Sequence, residues 1–123
     1  MSAGRVVPIF SNAPGAHKSL GNPRHPWEAM ARRTLLSEAE IAAGLAEVPK
    51  WTRTGSAIAR AWKFEDFPGA LAFINQVGAL AEGMDHHPDI YNTWNKVTLT
   101  LTTHDRGGLT ALDFDLAKKI DAL

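Results

Sequence analysis

The segment Lys96–Thr103 restricts the fold of this 123-residue chain more than any other segment. Apolar residues alternate in it with threonines: Val97, Leu99 and Leu101 against Thr98, Thr100 and Thr102. A period of two places the two residue types on opposite faces of a β-strand. We therefore expect a strand that buries one face and exposes the other, as in antiparallel sheets covered on one side.

Three helices are predicted from their start signals. The first starts at the capping box Ser37–Glu40 and ends before Pro49. The second is capped by Asp66, and the third opens at Thr110, with Asp113 at the capping-box spacing. An apolar stripe at three- and four-residue steps marks the second helix: Phe67, Ala70, Leu71, Ile74, Val77, Ala81 and Met84. This stripe predicts the principal buried helix.

Extended runs alternate with these helices. The runs Trp51–Thr54 and Ala57–Phe64 flank the pair Gly55-Ser56, which predicts a hairpin. A further extended run, Ile90–Trp94, precedes the alternating strand. The order α-ββ-α-ββ-α predicts an α+β fold in which helices pack on one face of an antiparallel sheet.

Composition narrows the class of protein. A chain of this length with 45% hydrophobic residues suits one domain with one core, which we place at residues 31–123. Thirteen basic and thirteen acidic residues cancel, so the sequence lacks the positive field that favours nucleic-acid binding. No apolar run approaches the roughly 20 residues that span a bilayer, and there is no cysteine. We expect a cytoplasmic protein with no nucleic-acid or membrane partner.

Residues 1–30 differ from the rest of the chain. They are rich in proline and glycine, show no sustained periodicity and have no acidic residue before Glu28. We predict an N-terminal extension that is extended or disordered. Its basic residues, Arg5, Lys18 and Arg24, leave organelle targeting as the alternative.

Titratable side chains are concentrated near two predicted element ends. His86 and His87 precede Pro88, and a residue before a proline is disfavoured in the α region, so the second helix should end there. His104 continues the threonine side of the alternating strand. An unperturbed imidazole has a pKa of about 6.5 and can donate or accept a proton near neutral pH. The cluster therefore suggests proton-transfer chemistry.

Two other interpretations of these histidines are open. Adjacent residues diverge by about 100° on a helix and 180° on a strand, so His86 and His87 are poorly placed to bind one ion, and we expect no metal site. Taken alone, each histidine is better explained as a helix cap or a solvated surface residue, and only the cluster favours catalysis. A separate set of aromatic and basic residues suggests binding of single-stranded nucleic acid as a further alternative. Aromatic residues of this kind more often belong to the core. The residues concerned are Trp27, Trp51, Trp62, Trp94, Arg53, Arg60 and Lys63.

A longer pattern contains the histidines. The segments Asp85–Val97 (DHHPDIYNTWNKV), Leu101–His104 and Gly108–Asp113 together resemble the pterin-4a-carbinolamine dehydratase family. Glu82 also keeps the spacing of the family signature. The resemblance covers about residues 34–123 and leaves out the N-terminal segment. Because the pattern holds its spacing across two predicted elements, it is more specific than a lone His-His-Pro.

The resemblance implies both an architecture and a reaction. It implies a two-layer fold with a four-stranded antiparallel sheet backed by helices, assembled as a homodimer or homotetramer. The implied activity is that of a lyase, which dehydrates 4a-hydroxytetrahydropterin to quinonoid dihydropterin in tetrahydrobiopterin recycling. The small-molecule pterin is the substrate, and neither a metal nor an organic cofactor is implied.

The family pattern also implies roles for individual residues. The catalytic set is His86, His87 and His104, and we assign His86 and His104 to proton transfer and His87 to binding, as a hypothesis. Substrate contacts are implied for Asp85, His86, His87, Thr102, Thr103, His104 and Asp105. Glu82 and Asp113 take supporting positions. Glu82 is alternatively a solvated helix residue, and Asp113 either closes the capping box or orients His104.

A binding module is the competing functional class. Some animal members of the family bind and stabilise a dimeric transcription factor, so a dimerisation or transcriptional coactivator scaffold is the alternative function. Ile90 and Thr93 replace aromatic residues of animal members, which weakens the prediction of a partner surface. The three histidines favour the enzyme, because a scaffold would not require them.

Overall fold

The computed structural model describes residues 30–123. The predicted extension, residues 1–30, and its targeting alternative therefore lie almost wholly outside the described residues. The elements are α1 Glu38–Glu47, β1 Thr52–Thr54, β2 Ala57–Lys63, α2 Phe67–Met84, β3 Asp89–Thr93, β4 Lys96–Leu101, a 3₁₀ helix His104–Arg106 and α3 Ala111–Asp121. The predicted order of helices and strands is confirmed, and the predicted α+β class with it.

The four strands form one antiparallel sheet in the order β1-β2-β4-β3. The strand β4 is central, because Leu101 pairs with Ile58 on β2 and Thr98 pairs with Tyr91 on β3. Its apolar residues Val97, Leu99 and Leu101 are fully buried. The predicted one-sided strand is thus at the centre of the sheet, where its apolar face contributes most to the core.

Side-chain caps fix where each helix starts. Ser37 accepts from the Glu40 amide at 3.1 Å while the Glu40 carboxylate accepts from the Ser37 amide at 2.8 Å. Asp66 accepts from the Gly69 amide at 2.8 Å at the start of α2. These bonds satisfy amides that have no partner inside their own helix. The predicted starts of α1 and α2 are confirmed.

The apolar face of α2 is rotated from the predicted stripe. Phe67 and Leu71 were expected in the stripe but are 42% and 43% exposed, whereas Phe73 is buried. Phe73 packs between Trp62 and Phe64, with ring centroids 4.8 and 5.1 Å away. A three- and four-residue spacing defines an apolar arc on a helix, and the neighbouring elements decide which part of that arc is covered. The prediction was wrong at Phe67 and Leu71 for this reason.

Two of the tryptophans considered for nucleic-acid binding, Trp51 and Trp62, pack at the core, whereas Trp94 is exposed. Trp51 is buried, and its indole N–H donates to Asp121 at 2.8 Å. The Arg60 guanidinium lies 4.5 Å from the centre of the Trp62 ring and pairs with Asp121 at 2.6 Å. Arg53 pairs with Glu38 at 2.6 Å. These partners favour the core interpretation of both tryptophans.

Candidate active site

A left-handed residue sets the position of the histidine doublet. Asp85 has φ 52° and ψ 42°, directly after α2 ends at Met84. The Asp85 amide donates to the Glu82 carbonyl at 3.2 Å, and the His86 amide donates to the Ala81 carbonyl at 3.1 Å. These two bonds form a Schellman motif, which turns the chain out of the helix. The histidine doublet follows the helix, as predicted. The helix ends because of the left-handed residue Asp85, however, and not because of Pro88.

His86 is turned inward and fixed by a buried carboxylate. Its ring is 7% exposed, and its Nε2 lies 2.6 Å from Oδ1 of Asp113, which is fully buried in α3. The other oxygen, Oδ2, accepts from the Thr103 hydroxyl and from the Thr110 amide, both at 2.9 Å. Asp113 therefore closes the α3 capping box and holds His86 with the same carboxylate.

The donors around Asp113 determine which His86 nitrogen carries a proton. The Thr110 and Thr103 hydroxyls are 2.7 Å apart, and Thr103 donates onward to Asp113. With Asp113 as a carboxylate, which only accepts hydrogen bonds, Nε2 of His86 is the donor. In the neutral ring, Nδ1 then carries the lone pair. The network thus leaves Nδ1 as the ring nitrogen of His86 that is not bonded to Asp113.

His87 diverges from His86, as predicted for adjacent residues. Its side chain is 57% exposed, and its Nε2 lies 2.9 Å from Oε1 of Glu82, one turn back on α2. Glu82 therefore contacts the predicted site rather than solvent alone.

Within residues 30–123, no group of three or more His, Asp or Glu side chains is arranged to hold a metal ion.

His104 lies at the end of the central strand. It is the first residue of the 3₁₀ helix and is 66% exposed, with Nε2 3.4 Å from Oδ1 of Asp89. The alternative in which Asp113 orients His104 is wrong, because Asp113 is bonded to His86. Asp89, which sequence reasoning did not select, is the carboxylate nearest to His104. Asp89 directly follows the His-His-Pro motif, and this position is the sequence signal that could have identified it as a site residue.

The predicted substrate-contacting threonines are already engaged within the protein. The Thr102 hydroxyl donates to the Ser56 carbonyl at 2.6 Å, and the Thr103 hydroxyl is buried against Asp113. Asp105 is exposed and paired with Arg33, whose guanidinium lowers the pKa of the Asp105 carboxyl. Asp85 is exposed at the helix end. Of these four residues, the two aspartates present their side chains at the surface.

Two connections link the doublet to His104. Thr103, next to His104 in sequence, bonds through Asp113 to His86. Asp89, two residues after His87, contacts His104. The structure therefore brings the end of α2, the end of β4 and the start of α3 together. One imidazole is rigidly held there and two are exposed, an arrangement suited to moving protons on a ligand at the surface.

A separate cleft of about 340 Å³ lies elsewhere in the fold. Arg60, Trp62, Phe73 and Asp121 are among its lining residues. None of the predicted site residues lines this cleft.

Comparison with known proteins gives one consistent result. The family described as "Pterin 4 alpha carbinolamine dehydratase" matches residues 34–123. A Roseiflexus sp. (strain RS-1) protein named "Putative pterin-4-alpha-carbinolamine dehydratase" is 52% identical over 90 residues, covering 73% of this chain and 97% of the relative. A relative of the same name from Nocardia farcinica is 49% identical over 89 residues, covering 72% and 94%.

The fold also has a solved counterpart. The crystal structure of a transcriptional coactivator/pterin dehydratase from Brucella melitensis has a TM-score of 0.69 and 38% sequence identity. It covers 72% of this chain, and this chain covers 97% of it. Among the described helices, none is long and apolar enough to cross a membrane.

Proposed function

Because this chain belongs to the pterin 4 alpha carbinolamine dehydratase family, we propose that it dehydrates 4a-hydroxytetrahydropterin to quinonoid dihydropterin. This reaction would serve tetrahydrobiopterin recycling in the cytoplasm. Family membership supports the reaction class. The proton chemistry at the histidine site supports the assignment to these particular residues.

The reaction requires two proton transfers. The carbon–oxygen bond of the carbinolamine breaks, and its hydroxyl leaves as water after receiving a proton. A proton leaves the adjacent ring nitrogen, and a carbon–nitrogen double bond forms. A positioned acid and a positioned base typically contribute about 10² to 10⁴ in rate to such steps. Two imidazoles of opposite protonation satisfy both requirements.

The observation that carries the proposal is the buried hydrogen bond between His86 and Asp113. The His86 imidazole lies 2.6 Å from the Asp113 carboxylate, which also accepts hydrogen bonds from Thr103 and Thr110. The ring is therefore held in one orientation. A fixed ring lowers the entropic cost of reaching the reactive geometry. We assign one proton transfer to Nδ1 of His86, because Nε2 is occupied by Asp113.

The exposed histidines take the remaining roles in this proposal. His104 transfers the second proton, with Asp89 at 3.4 Å able to orient its ring. His87, held by Glu82, binds the pterin. The Asp85 and Asp105 carboxylates contact the edge of the flat heterocycle, and the fully buried Thr103 supports the site through its bond to Asp113.

Stopped-flow absorbance with chemically generated 4a-carbinolamine tests this function. The protein should accelerate formation of the quinonoid product over spontaneous dehydration in the same buffer. His25→Ala is a matched control, because His25 lies outside the family-matched residues and should leave the rate unchanged. A rate equal to the spontaneous one would remove the enzymatic assignment. The same assay after strict metal chelation tests the expectation that no metal is needed.

A scaffold role is the second candidate. The Brucella melitensis protein named a transcriptional coactivator/pterin dehydratase favours it, together with exposed apolar side chains at β3. A scaffold would bind its protein partner equally well after His86→Ala. An enzyme would lose its dehydration rate in the same variant, so the two functions separate in one protein.

A further inference from the structure

The chain just before α1 contacts the turn that carries His104. Arg33 forms an ion pair through its guanidinium with the carboxylate of Asp105, the residue next to His104. Three residues later, the Leu36 amide donates to the Leu109 carbonyl at 2.9 Å. The preceding segment, residues 33–36, therefore meets residues 104–109 near both ends of the turn.

Close packing accompanies these polar contacts. A Cβ added at Gly108 would lie 3.1 Å from Cδ2 of Leu35, which is tighter than most side-chain contacts. Glycine at this position leaves room for the Leu35 side chain. Leu35 and Leu36 thus align the segment along the turn, and Arg33 reaches the aspartate beside His104.

Few other side chains hold the turn. Its own backbone bonds run from the Arg106 and Gly107 amides to the Thr103 carbonyl, both at 2.9 Å. His104 has its contact with Asp89 at 3.4 Å, beyond the usual hydrogen-bond range, and is exposed. Thr103 is fully buried, whereas residues 104–107 after it are exposed.

We propose that Arg33 is a positioning residue, which holds the His104 turn through Asp105 and so fixes His104 for proton transfer. The inference rests on the proposed dehydratase function. Arg33 lies one residue before the family-matched region, which begins at residue 34. A residue just outside the family-matched region therefore contributes to the site while contacting no reacting atom.

Arg32 supplies a matched control. It is the neighbouring arginine, and its guanidinium pairs with Asp115 of α3 at 2.6 Å instead of with the turn. Arg32→Gln removes the same charge from the same segment. Arg33→Lys keeps the charge but loses the planar, forked geometry of the guanidinium.

Amide hydrogen exchange without substrate tests the hold on the turn. Arg33→Gln should speed exchange at the Arg106 and Gly107 amides by about twofold to fivefold, the range for an exposed ion pair. Arg32→Gln should leave these two amides at the wild-type rate. High salt should speed exchange there in the wild type but not in Arg33→Gln, because it screens exposed charges.

Dehydration kinetics test the consequence for catalysis. Arg33→Gln should lower kcat by about twofold to fivefold, with partial recovery in Arg33→Lys. Wild-type exchange and kcat in Arg33→Gln would overturn the inference, and so would an equal loss in Arg32→Gln. A wild-type protein without dehydratase activity would overturn the proposed function and the catalytic part of this inference together. The exchange rates would then still decide whether Arg33 holds the turn.

Discussion

Asp113 shows what a single buried residue contributes to this site. Its carboxylate accepts from His86, Thr103 and Thr110 at once. The sequence predicted its capping role from local spacing, but His86 is 27 residues away, so that partner depends on tertiary structure. The burial of Thr103 could be predicted from the sequence. If the alternation of β4 is extended by two residues, Thr103 falls on the apolar side of the strand.

Asp113→Asn tests the network at the residue scale. An amide cannot accept all three hydrogen bonds, so one donor loses its partner in a buried site. The free energy of unfolding should fall by about 1–3 kcal/mol in urea denaturation. The dehydration rate should fall at least about tenfold, because His86 loses its fixed orientation. Asp115→Asn, a partly exposed position on the same helix, is the control, and equal losses in both variants would contradict the role of the network.

The turn after α2 shows how one backbone conformation places a functional pair. The sequence predicted the end of this helix within two residues, using the effect of a proline on the residue before it. The cause lies earlier, at Asp85, and a left-handed residue other than glycine has no strong sequence signal. Element ends were therefore predictable here, whereas the direction of each histidine was not.

Substitution at Asp85 tests this explanation. Valine is strained in the left-handed region, so Asp85→Val should reduce the free energy of unfolding by about 1–2 kcal/mol. Glycine adopts this conformation without strain, so Asp85→Gly should unfold at or above the wild-type urea midpoint. Equal midpoints for Val and Gly variants would show that the left-handed turn does not depend on this residue.

At the scale of the whole molecule, the strand order determines where the candidate active site lies. The order β1-β2-β4-β3 makes β4 a central strand. Just after β4 ends, Thr103 lies in the core and His104 lies at the surface. The sequence predicted the elements and the one-sided sheet, since both follow from local periodicity. Strand order and the contact between Arg33 and the turn depend on long-range packing, which periodicity does not encode.

The same order leaves β3 at an edge of the sheet. Ile90 and Tyr91 on this strand are 43% and 65% exposed, and Trp94 beside it is exposed as well. An exposed edge strand with apolar side chains favours pairing with another chain. We expect sedimentation velocity to give two or four times the mass of one chain, and Tyr91→Lys to shift the protein toward monomer. A monomeric wild type at micromolar concentration would contradict the proposed homodimer or homotetramer.

In the proposed mechanism, His86 and His104 move the two protons of a carbinolamine dehydration. The most direct measurement is the single-turnover dehydration rate of His86→Ala and His104→Ala beside the wild type, in stopped-flow absorbance. Each variant should lose about 10² to 10⁴ in rate while keeping the wild-type circular dichroism spectrum. Rates equal to the wild type in both folded variants would contradict this mechanism.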